Sequence, residues 1–167
     1  MIELTYISRA RMPLTEEALF NLLAICRSNN SKLNVTGLLL YDGYNTFIQV
    51  LEGEDAVVDV LYRKIASDNQ HVGIQVVSQS PITERHFPKW RMGFRAVTKH
   101  ALQSITGCHA LSDEDCVFKT LSNKPELAHL VIDYFKGKAT DETENQQGVY
   151  PSIQGQSNNL SARRLGD

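Results

Sequence analysis

Apolar and polar positions alternate over the first ten residues, MIELTYISRA, and put Ile2, Leu4, Tyr6 and Ser8 on one face of a short strand. The turn-like RMPLTEE follows. Thr15 can cap a helix there, and Glu16 and Glu17 suit its positive end. Leu19, Leu22, Leu23 and Cys26 then recur at helical spacing, which predicts a helix to about Asn29, where the turn-rich SNNSKLN begins. VTGLLLYDGYNTFIQVLEG reads as two strands joined through DGYN, since Asp-Gly between apolar runs marks a hairpin. A second helix is expected from about Glu54, with Val57, Val60, Leu61 and Ile65 on one face. HVGIQVVSQSPI is a further strand, and FPKWRMGFRAV holds a short one with Trp90, Met92 and Phe94 on one face. The order βαββαββ before about residue 97 predicts an α+β fold. It is a ferredoxin-like βαββαβ sheet with an extra short strand, in which the first and third strands are neighbours. Tyr6 and Gln49 then fall on adjacent central strands.

After residue 98 the pattern turns helical. Weaker helices are expected at about 99–106 and 113–121, the latter begun by SDED. The clearest is KPELAHLVIDYFKG, with Pro125 in its first turn, Gly137 at its stop, and Leu127, Leu130, Val131, Tyr134 and Phe135 on one apolar face. This face is expected to pack on the sheet, with an oligomer or partner surface as the alternative. From Ala139 on, the chain is polar, with Tyr150 its one aromatic residue, and predicts a disordered tail. The expected organisation is a domain over 1–97, a helical extension over 98–138 and a tail over 139–167.

Composition adds exclusions. With 42% hydrophobic and 22% charged residues, the chain is of ordinary globular type. A formal net charge of −2 and the lack of a basic cluster beyond Arg163-Arg164 argue against nucleic acid or an anionic membrane as partner. No apolar run is long enough to span a bilayer, and the N-terminus lacks a secretory pattern. Cys26, Cys108 and Cys116 are odd in number and scattered, so they read as reduced thiols of a cytoplasmic protein.

The candidate chemistry centres on FIQVLEGE, where Gln49 interrupts a run of bulky apolar residues. A buried amide costs about 1–3 kcal/mol if its hydrogen bonds go unmade. It is either a core amide bonded to backbone or a group that meets a ligand or switches, because its donor and acceptor lie on opposite arms. Tyr6 is a core phenol or the donor beside that amide, and Ser8 shares its face. Asn29 and Asn30 serve helix-stop chemistry or match the adjacent C=O and N–H groups of a planar ligand. Trp90 and Met92 are core residues or ligand contacts. Arg63 and Lys64 follow the second helix's apolar stripe, and their heads are expected in solvent. Cys108-His109 with Cys116 lacks zinc spacing, and no GxxxxGK[ST], GxGxxG or GxSxG occurs. No carboxylate pair stands out as an acid/base couple, so the reading is not an enzyme.

LTYIS, NNSKLNVTGLLLY, FIQVLEGE and KWRMGF, in this order, resemble the BLUF domain, a blue-light sensor using flavin. The resemblance covers about residues 1–97 and extends to short BLUF proteins with a small helical extension. It implies a flavin ring held between the two helices. FAD is the flavin of family habit, while FMN or riboflavin would supply the same ring chemistry. Tyr6 matches the redox-active tyrosine, Gln49 the switching glutamine, and Asn30 the asparagine on the flavin's polar edge, with Asn29 its variable neighbour. Lys64 falls where some members carry arginine, beside Arg63. Leu22, Ile25 and Ser8 complete the expected binding set. Trp90 and Met92 match the output pair, Met92 foremost. The implied mechanism has light-excited flavin oxidise Tyr6 through Gln49. The amide ends rotated or tautomerised, and a stronger hydrogen bond to the flavin C4 carbonyl shifts absorption to the red. The expected partners are the flavin and a downstream protein effector, and a homo-oligomer is expected. The alternative is a non-photoactive ferredoxin-like module that binds another metabolite or dimerises.

Overall fold

The computed structural model describes residues 1–108 and 116–139. Five strands form one sheet: β1 (Ile2–Ala10), β2 (Thr36–Tyr41), β3 (Thr46–Gly53), β4 (His71–Pro81) and β5 (Gly93–Ala96). Their order is β4-β1-β3-β2-β5. All neighbours are antiparallel except β2 and β5, which run parallel. The first four strands, with α1 (Glu16–Leu33) and α2 (Asp55–Ala66), make the ferredoxin-like unit, and β5 extends its edge. The hairpin predicted at DGYN forms between β2 and β3. Asp42 Oδ1 accepts from the backbone N–H groups of Tyr44, Asn45 and Thr46, and Gly43 takes the positive φ of 76°.

The alternation along the central strands separates two cores. On one face Ile2, Leu4, Tyr6, Leu39, Phe47 and Leu51 pack with Leu19 and Leu23 of α1 and Val58 and Leu61 of α2. On the other, Ile7, Leu38, Leu40, Ile48 and Val50 meet the chain after β5. That chain forms α3 (Lys99–Thr106), α4 (Cys116–Asn123) and α5 (Pro125–Ala139), which contribute Leu102, Val117, Leu121, Ala128, Val131 and Ile132. Side chains of β4 also tie these helices down: Gln75 Nε2 donates to Ser122 O at 3.1 Å, and Ser78 Oγ meets His129 Nε2 at 2.8 Å. The sheet is therefore covered on both faces.

The first helix does not end at Asn29 but runs to Leu33, because SNNSKL contains no glycine or proline. Asn34, at φ 53°, provides the left-handed stop. On α2 the buried stripe is Val58 and Leu61 with Val57 and Ile65. Val60 stands about 200° around the helix from Val58 and is 67% exposed. On α5 the same geometry buries Ala128, Val131 and Ile132 and leaves Leu130 and Tyr134 exposed. Cys108 and Cys116 are joined as a disulfide with Cα atoms 5.9 Å apart, where reduced thiols were expected; Cys26 is free. Spacing conceals this because the pairing depends on the fold: Cys108 follows the cap of α3, and Cys116 opens α4. The SDED start of the predicted 113–121 helix and the tail from residue 140 lie outside the described residues; Ala139 is the last residue of α5.

Candidate functional site

The pairing of β1 with β3 puts Tyr6 directly opposite Gln49, and Leu39 of β2 and Phe94 of β5 continue the row. Tyr6 and Gln49 are both buried beneath α1 and α2. The Tyr6 hydroxyl donates to Gln49 Oε1. Gln49 Nε2 donates to Met92 Sδ at 3.5 Å. The neighbours set the amide's direction, because a thioether can only accept whereas a phenol can donate. Gln49 is thus bonded to two side chains and not, as a core amide commonly is, to backbone. Burial first, then the neighbouring Cys26 and Tyr62, push the Tyr6 phenol far above its usual value of 10, so it keeps its proton. Tyr62 meets the Tyr6 ring edge-on at 5.5 Å.

Asn30 lies one turn before the end of α1 and is buried; its Nδ2 donates to Arg91 O at 2.6 Å, leaving Oδ1 as the acceptor open to a ligand. Asn29 beside it is half-buried. Leu22 packs on the apolar cluster of this face, whereas Ile25 is 60% exposed. Ser8 is buried but turns to His71, with Oγ to Nδ1 at 3.2 Å, and does not extend the Tyr6 bond. Arg63 and Lys64 are exposed on α2, and Arg63 pairs with Asp59 at 2.9 Å.

Trp90 and Met92 do not share a strand face. β5 begins only at Gly93, so period-2 alternation does not reach back across Trp90-Arg91-Met92. Met92 is buried on the Tyr6 side. Trp90 packs against the opposite core, stacked on Phe87 with centroids 5.6 Å apart. Gly93 accommodates the indole: a Cβ there would come within 2.5 Å of Trp90 Cε3.

Glu52 stands in the same buried strand as Gln49. Its carboxylate is fully buried and accepts from Thr36 Oγ1 at 2.9 Å, His86 N at 2.6 Å and Phe87 N at 3.1 Å. Arg85 adds bonds to Thr36 Oγ1 and to the Glu52 and Asn34 carbonyls. Glu3, Glu52 and His86 lie close enough to ligate a metal. The Glu52 oxygens are already spent on the 86–87 backbone, so the cluster acts as a loop anchor. A charged residue inside an otherwise apolar strand was the signal for it.

A ferredoxin-like sheet with two helices on one face, a buried phenol–amide–thioether chain beneath them and an asparagine at their rim defines a small sensory module for a planar, hydrogen-bonding ligand. A family model described as "BLUF: Sensors of blue-light using FAD" matches residues 1–93, and the chain belongs to this family. The beta subunit of photoactivated adenylate cyclase from Euglena longa is 40% identical over 91 residues, covering 53% of this chain and 10% of that protein. The alpha subunit from Euglena gracilis is 40% identical over 85 residues, covering 51% and 8%. The chain thus matches only about a tenth of these relatives' length. Among solved structures, the dark state of BlrB, a BLUF protein, superposes with a TM-score of 0.64 at 29% identity, covering 82% of this chain and 96% of that one. A bacterial light-regulated adenylyl cyclase gives 0.54 at 31% identity, covering 81% and 36%.

The residues present suit a flavin. Leu22, Cys26, Tyr62 and Ile65 supply apolar surface on the core face that holds Tyr6, while Asn30 Oδ1 and the second Gln49 N–H offer an acceptor and a donor to a polar ring edge. The chain is a blue-light sensor module of the flavin-using kind. Among the described residues no helix is long and apolar enough to cross a membrane.

Proposed function

We propose that Tyr6, Gln49 and Met92 are the light switch, that FAD is the bound flavin, and that the signal leaves through Met92 and β5 to a protein partner. When bound, the flavin supplies a strong oxidant on absorbing blue light. Tyr6 gives up an electron, and its hydroxyl proton moves along the bond to Gln49 Oε1; both return to the phenoxyl. Burial favours this coupled transfer, because a phenol held well above its usual pKa does not lose its proton first. Gln49 turns or tautomerises in the exchange. Turning brings the carbonyl oxygen to Met92 Sδ, and because neither atom can donate, the bond to Met92 is lost; a tautomer that stays in place keeps one N–H for it. The Tyr6–Gln49–Met92 chain is the single observation that carries this reading.

Asn30 Oδ1, with Asn29 beside it, is proposed to hold the ring's polar edge. Leu22 and Ile25 are proposed to line the ring, and Lys64, with Arg63, to meet the cofactor from α2. Residues 1–97 form the sensor and 98–138 its output extension, which signals to an effector as a homo-oligomer. The test is spectroscopic. The purified chain, yellow with bound flavin, shows a reversible red shift under blue light. Y6F retains flavin and loses that photocycle. An undiminished red shift in Y6F would overturn the mechanism, and a chain unable to take up any flavin would overturn the cofactor assignment.

A further inference from the structure

We propose that Arg27 is a positioning residue for the switch, holding the backbone of Met92 from α1 while Gln49 holds its side chain. This deepens the light-switch reading and rests on it. Three consecutive carbonyls of the segment entering β5 are each held by a different donor. Trp90 O accepts from Gly37 N at 3.0 Å, Arg91 O from Asn30 Nδ2 at 2.6 Å, and Met92 O from Arg27 Nε at 3.1 Å. Arg91 also reaches back, its Nη1 donating to Asn34 Oδ1 at 3.0 Å. Arg27 and Asn30 lie three apart on α1 and so share one helix face, with Asn34 capping its end. The last turns of α1 therefore grip Arg91 and Met92 at three points.

The consequence is mechanical. Met92 Sδ stays within reach of Gln49 only while the Met92 backbone stays put, and a charge-assisted bond from Arg27 fixes that backbone. A displacement of the Met92 backbone that follows from turning Gln49 must stretch or break the Arg27 bond. Arg27 thus favours the dark arrangement and sets the cost of leaving it. The bonds at the amide itself run to Tyr6 and Met92 Sδ, and Arg27 is a member of neither. Asn30 extends the link, because one amide joins the proposed ligand edge to the Arg91 carbonyl. The helix is a second arm between the cofactor and β5, parallel to the one through Gln49.

The experiment compares wild type, R27M, which keeps an apolar stem, and R27K, which restores a cationic donor. In flavin-loaded full-length protein, R27M is expected to keep the size of the red shift and to return to the dark state roughly three- to tenfold more slowly, with R27K in between. In the same proteins kept dark and stripped of flavin, hydrogen exchange over residues 92–96 is expected to be faster in R27M while α2 is unchanged. The dark arm reads the grip without any light chemistry, so a failure of the light-switch reading is distinguishable from a failure of this one. Recovery and exchange both identical to wild type would overturn the proposal. So would a uniform rise in exchange across the protein with unchanged recovery, the mark of a merely stabilising residue.

Discussion

Gln49 can serve as a switch because its two arms meet partners of unequal chemistry. The Tyr6 hydroxyl can donate or accept, whereas Met92 Sδ only accepts, so one orientation is bonded at both ends and the flipped one is not. The amide was legible as an anomaly in FIQVLEGE; Met92 as its partner was not, because 43 residues separate them and nothing in the local pattern links them. A second residue-scale device is His71, held by Ser8 Oγ and near the Phe47 ring. Burial lowers its pKa below the usual 6.5, partly offset by Asp68. The unfolded chain therefore binds this proton at a higher pH than the folded one. The associated stability is present above pH 6.5 and falls as the pH drops from there through the lowered value. Urea midpoints are expected to decline on acidification in wild type and to decline less in H71N, which keeps an acceptor for Ser8.

At the scale of elements, caps were legible and continuous polar helix was not. Thr15 was readable as an N-cap and accepts from Ala18 N at 3.1 Å. T15A should cost about 1 kcal/mol in chemical denaturation without altering the light response. The end of α1 was misplaced because turn-rich composition resembles a stop, while the true stop needs the left-handed Asn34. That error concealed how α1 works. Its last two turns carry Arg27 and Asn30 against the strand entry, and a helix ending at Asn29 would leave Asn30 outside it. The segment 90–92 misled for a related reason. Alternation is informative only inside a strand, and the turn from Phe87 O to Trp90 N precedes one. Trp90 and Met92 consequently lie on opposite sides of the sheet, so a single short segment touches both cores.

For the whole molecule, the order of strands and helices was readable, because period-2 and period-3.6 patterns alternate cleanly through residue 81. The back-face cap was less so: its buried stripe on α5 runs through Ala128, too small to stand out beside Leu130 and Tyr134. α3–α5 lie on the face opposite the Tyr6–Gln49 pair, where Trp90 packs against the same core as these helices. The Cys108–Cys116 bond braces this cap, and it was unreadable because pairing depends on the fold. Closing a loop across a separation of 8 residues should stabilise the oxidised protein by about 2–3 kcal/mol. Reductant is expected to lower the thermal midpoint of wild type and leave that of C108S/C116S unmoved.

Gln49 is proposed to change its hydrogen bonds in the light. The light-minus-dark infrared spectrum of the flavin-loaded chain reads this most directly through the flavin C4 carbonyl. That band is expected to move down in wild type and to stay in place in Q49L with flavin still bound. The same downshift in Q49L would contradict it.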